Sequence, residues 1–108
     1  MTKTIKDLID ESHGNAVNKG FWAVNQDIGN KCMLMVTELA EFMEKKRKND
    51  LSADEHCPEF SNQQIELADL FIRWADMCGY LGFENMQEAI EAKMLFNSTR
   101  PHLHGKSC

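Results

Sequence analysis

Four carboxylates stand out by type and spacing: Glu38 and Glu41 in TELAE, then Glu66 and Asp69 in IELAD. Each pair is spaced i, i+3, which places both of its carboxylates on one face of a helix. From Met33 to Met43 the only polar side chains are Thr37, Glu38 and Glu41; from Ile65 to Cys78 they are Glu66, Asp69, Arg73 and Asp76. A helix that is apolar almost all round is normally buried, so the two acidic stripes are expected to face an enclosed site, and each other across it. Carboxylates gathered in one place repel one another unless a cation sits between them. An all-oxygen set of this kind selects a hard divalent metal, Mg²⁺ foremost with Mn²⁺ as a substitute.

A complementary basic edge lies further along the chain. Lys93, Asn97 and Arg100 follow at i, i+4 and i+7 and line one helix face, with Lys106 close behind. Arg binds phosphate as a bidentate fork and Lys as a point charge. Acidic residues that hold metal beside basic residues that hold phosphate are what phosphoryl chemistry requires.

The elements that must carry these groups are helical, since the chain has only two prolines and no alternating strand-like run. A first helix is expected from about Ile5 to Lys19, stopped by Gly20. A second runs from about Ile28 to Lys48 and ends in the cations Lys45, Lys46, Arg47 and Lys48, which suit a helix C-terminus. A polar loop, Asn49 to Phe60, precedes a third helix that opens on the capping pair Ser61 and Gln64 and runs to about Tyr80, before Gly82. Asn85 with Glu88 signals a fourth, about Met86 to Asn97, and Pro101 limits its continuation. The expected fold is all-α: a four-helix, up-and-down bundle in a single domain spanning residues 1–108.

A net charge of −5 argues against a nucleic-acid backbone or an anionic membrane as partner. The start, MTKTIKDLID, lacks the apolar core of a signal peptide, and the longest apolar run, Cys32 to Val36, is far too short for a membrane span. A soluble, cytoplasmic protein is expected. Cys32, Cys57, Cys78 and Cys108 form no CxxC pair and point to no disulfide scaffold. His56–Cys57 and the His102/His104 pair fit no closed zinc motif.

Four stretches, KGFW (Lys19 to Trp22), CMLMVTELAEFME (Cys32 to Glu44), ELADLFIRWADMCGYLG (Glu66 to Gly82) and EAKMLFNSTRPHLHGK (Glu91 to Lys106), resemble the MazG-like nucleoside triphosphate pyrophosphohydrolases, an all-α superfamily. Its signature is E-x-x-E, a variable spacer, then E-x-x-D; here the spacer is residues 42–65. The resemblance implies Glu38, Glu41, Glu66 and Asp69 as Mg²⁺ ligands and catalytic groups. It implies Lys93, Asn97, Arg100 and Lys106 as triphosphate contacts, and Trp22, with His13 nearby, as part of a base pocket. Thr37 departs from the many members that carry a further Glu there, with Glu44 one turn on as a candidate substitute.

The implied reaction converts a (deoxy)nucleoside triphosphate to the monophosphate and pyrophosphate, a house-cleaning activity on the nucleotide pool. Helices two and three are too apolar for a lone small bundle, so a homodimer or dimer of dimers is expected. Two other classes stand beside this one. A non-catalytic nucleotide-binding or helical interaction module would keep the bundle without turnover. A di-iron carboxylate bundle would need Glu-x-x-His pairs that the sequence lacks.

Overall fold

The computed structural model describes residues 2–23 and 27–101. Among the described residues there are four α-helices: α1 (Ile5–Asn18), α2 (Ile28–Arg47), α3 (Asn62–Leu81) and α4 (Met86–Ser98). All four expected helices are present, with ends within a residue or two of those read from the sequence.

Local chemistry sets the boundaries. Thr4 and Asp7 close α1 with a reciprocal capping box, and Ser61 and Gln64 do the same for α3. Such a cap contributes about 1 kcal/mol. Asp27 caps α2 by accepting from the Asn30 N–H at 2.7 Å. Gly20 (φ 83°) and Gly82 (φ 76°) turn the chain out of α1 and α3 in the left-handed region, where a side chain would be strained. The Asn85 signal fails in detail, since its side chain makes no capping hydrogen bond.

α3 lies between α1 and α2, and it runs antiparallel to α2. Contacts between Cys32 and Met77, Glu38 and Arg73, and Lys45 and Glu66 descend one helix as they climb the other. The core is small: Ile9, Ala75 and Cys78 are buried, with Ile5, Phe71, Trp74 and Met86 packed against them. The loop between α2 and α3 is tied down by the first turn of α3, where Gln63 donates to the Asp50 carbonyl at 2.9 Å and Asn62 to Ser52 Oγ at 3.0 Å.

α4 does not close the bundle. It packs chiefly on α1, where the Ile5 N–H donates to Gln87 Oε1 at 3.2 Å, and Met94, Leu95 and Phe96 are exposed. α2 also departs from the expectation of an enclosed helix: it buries one face on α3 and leaves Met33, Val36, Leu39 and Met43 exposed on the other. Among the described residues no helix is long and apolar enough to cross a membrane.

Candidate functional site

Antiparallel packing of α2 on α3 carries the two acidic stripes to one place. One oxygen each from Glu38, Glu66 and Asp69 lies within 4.8 Å of the others, the only such group among the described residues. Neighbouring ligands of an octahedral Mg²⁺ stand about 3.0 Å apart and opposite ones about 4.2 Å, so the three carboxylates would draw closer together to hold a hard divalent cation. His56 and Cys57 belong to no such group; their backbone N–H groups donate to Asp54 Oδ2 in a turn.

Glu41 sits beside this trio, and interaction with the Glu66 carboxylate, then burial, pushes its carboxyl above the usual range. Burial, then repulsion from Glu38 and Glu66, also raises Asp69. Glu66 moves the other way, because Lys45 Nζ donates to its Oε1 at 2.8 Å. Arg73 Nε donates to Glu38 Oε1 at 2.9 Å. Two cations from the same helix pair thus neutralise part of the cluster. Neither the sequence pattern nor the family resemblance singled out Lys45 or Arg73; the only signal was spacing, since Lys45 follows Glu41 by four residues and Arg73 follows Asp69 by four, which puts each cation on the face of its acids.

Glu38 and Asp69 line a cavity of about 540 Å³ between α1, α2 and α3, with Ser12, Asn15, Phe21, Lys31, Arg73 and Asp76 among its other walls. Beside it lies an aromatic cluster. Trp22 stacks on Tyr80 with centroids 4.0 Å apart and planes 5° from parallel. The Lys31 ammonium stands 4.3 Å from the Trp22 centroid, and because Tyr80 fills one face, the cation covers the other. Both faces of Trp22 are therefore occupied by groups of the same chain. Trp22 Nε1 and His13 Nδ1 both bond Asp76 Oδ1 at 2.8 Å. A carboxylate oxygen only accepts, so Nδ1 of His13 carries a proton.

The expected phosphate contacts lie elsewhere. Lys93 Nζ and the Arg100 guanidinium both fold over Phe96, 4.7 and 5.6 Å from its centroid. Neither these two nor Asn97 lines the cavity; Lys93 and Asn97 sit on α4, and Arg100 lies just past its C-cap Thr99. Lys106 falls outside the described residues, as do His102 and His104. Glu44 does not substitute for a metal ligand at Thr37: it pairs with Arg47 and Lys48 on the exposed side of α2. Thr37 itself donates to the Met33 carbonyl at 3.0 Å. Cys32, Cys57 and Cys78 are free thiols.

Comparison with protein-family models, with curated proteins and with solved structures finds no match for this chain.

Proposed function

We propose that this protein is a Mg²⁺-dependent nucleoside triphosphate pyrophosphohydrolase that works as a homo-oligomer. The observation that carries the reading is the convergence of Glu38, Glu66 and Asp69, two of which, Glu38 and Asp69, line a nucleotide-sized cavity. An all-carboxylate trio beside a cavity is suited to a hard cation and a phosphorylated ligand.

Glu38, Glu66 and Asp69 would hold the metal, which when bound would offset phosphate charge and lower the pKa of a water. Glu41, next to Glu66 but outside the trio, orients that water towards the α-phosphorus and takes its proton. As the water oxygen bonds to phosphorus, the bond to the bridging oxygen of the β-phosphate breaks and pyrophosphate leaves with the electron pair. Arg73, which already lines the cavity, meets the charge that develops on it. No side-chain nucleophile takes part.

A second copy supplies Lys93, Asn97 and Arg100. Within one chain they do not reach the acids, and the exposed Met94, Leu95 and Phe96 beside them give α4 an apolar strip to bury on a partner. The exposed apolar face of α2 adds to the same need.

One observation favours a second reading, a non-catalytic helical module: Arg73 and Lys45 already pair with Glu38 and Glu66, so the fold stands without a metal. Pyrophosphate release from a panel of ribo- and deoxynucleoside triphosphates with Mg²⁺ separates the two. Turnover that disappears in both Glu38→Gln and Asp69→Asn supports the hydrolase. No turnover on any nucleotide by folded protein favours the module.

A further inference from the structure

Asp76 lies seven residues beyond Asp69 on α3, so it stands on the same helix face and about 10.5 Å along the axis. It lines the cavity two turns from the acidic trio, and its side chain is only 13% exposed. Oδ1 receives both the His13 and the Trp22 hydrogen bonds, each at 2.8 Å. Oδ2 accepts none from the described residues. Asp76 is among the residues that line the cavity.

Two donors on one oxygen fix the carboxylate and leave the other oxygen as an acceptor for a ligand. Were Asp76 needed only to hold His13 and Trp22, an amide oxygen would serve. Ser12 and Asn15 line the same cavity, and neither side chain makes a hydrogen bond to a described residue. Phe21, half-exposed, and Ile72 supply apolar walls. An apolar slot with a few fixed polar groups is how planar ligands are held and oriented.

The geometry points to a nucleobase subsite in which Asp76 Oδ2 accepts a hydrogen bond from an exocyclic amino group, so that bases bearing that amine are selected over their keto counterparts. The inference rests on the nucleotide reading of the cavity and adds the class of base. A ring N–H fits this position less well, because in uracil or hypoxanthine it is flanked by carbonyl oxygen that would face the carboxylate. Guanine's paired N–H donors would need both oxygens, and Oδ1 is taken.

The test is calorimetric binding of matched monophosphates, CMP against UMP and AMP against IMP, to the full chain. The wild type is expected to bind the amino member of at least one pair about tenfold more tightly. Asp76→Asn keeps an oxygen for His13 and Trp22 but turns the other group into a donor, so the preference should reverse. Equal binding within both pairs by the wild type, or no binding of any of the four by folded protein, overturns the subsite. So does an Asp76→Asn variant that weakens both members equally. The wild-type comparison stands even if the variant fails to fold. Because no turnover is read, discrimination that survives in a protein with no pyrophosphate release would sink the hydrolase and leave the base subsite intact.

Discussion

Arg73 donates from Nε to Glu38 Oε1 at 2.9 Å, with the Glu38 side chain 12% exposed and that of Arg73 42% exposed. The carboxylate proposed to bind metal is thus already in an ion pair with a residue that is itself half in solvent. A metal entering between Glu38, Glu66 and Asp69 must compete with that guanidinium, and Arg73 is then released towards the cavity it lines.

Arg73→Gln should therefore separate two properties that usually fall together. With its competitor gone, Glu38 is expected to bind Mn²⁺ several-fold more tightly, read by titration of the paramagnetic ion. Pyrophosphate release should drop about tenfold or more, as expected for a lost contact to developing charge. Metal affinity that falls along with turnover would mean that Arg73 orders the cluster instead of competing for it.

The acidic cluster also gives a pH dependence of definite sign. Asp69 and Glu41 have carboxyls raised above their ordinary values of 3.8 and 4.5. A raised group binds its proton more tightly folded than unfolded, so its stabilising effect is present at low pH and is lost as pH rises through the folded value. Glu66, held below 4.5 by Lys45, acts oppositely: its contribution exists above the unfolded value and is lost on acidification through the folded one. Without metal, melting temperature should fall as pH rises from about 4 towards 7. Mg²⁺ should remove that fall by neutralising the deprotonated cluster, with its effect vanishing as Asp69 and Glu41 take up protons. A metal-free melting curve that rises across the same range would show that the paired Glu66 dominates.

Gly79 offers a test of how closely α1 packs on α3. A Cβ built there would lie 2.5 Å from the Cβ of His13, a backbone-proximal atom that cannot swing away. Gly79→Ala is expected to cost about 1–3 kcal/mol of stability through overpacking, despite the general preference of helices for Ala over Gly. By pushing His13 off Asp76 it should also weaken nucleotide binding. Denaturant unfolding checks the first outcome, and a gain in stability would mean that the two helices are free to separate.

What the sequence disclosed, and what it hid, follows from the range of each interaction. The helices, the Ser61–Gln64 cap and the Gly82 stop are set by neighbours a few residues apart, so their signals are local. Glu38, Glu66 and Asp69 were also visible, because two helical stripes of like charge in apolar surroundings admit few arrangements. Lys45 and Arg73 were not, since which cation meets which acid depends on the register of α2 on α3. The same holds for Asp76, whose partners His13 and Trp22 lie on distant segments. Nothing in KGFW announces that Tyr80 and Lys31 will cover the two faces of Trp22. α4 has the most nearly even apolar distribution, with Met94, Leu95 and Phe96 running around the helix, so its periodicity did not say which surface it would use.

That last helix gives the sharpest test of assembly. If Lys93, Asn97 and Arg100 complete the site of a second copy, the acids and the basic edge of one active site come from different chains. Glu38→Gln and Arg100→Ala variants should then each be nearly inactive alone. Co-expressed, random pairing makes half the dimers mixed, and each mixed dimer holds one site with an intact acidic trio and an intact α4. About a quarter of wild-type turnover should return. If α4 instead folds back over its own acids, every site in the mixture carries one lesion and no activity is regained. Sedimentation of the wild type adds an independent check, since a monomer at assay concentration excludes the shared site whatever the complementation result.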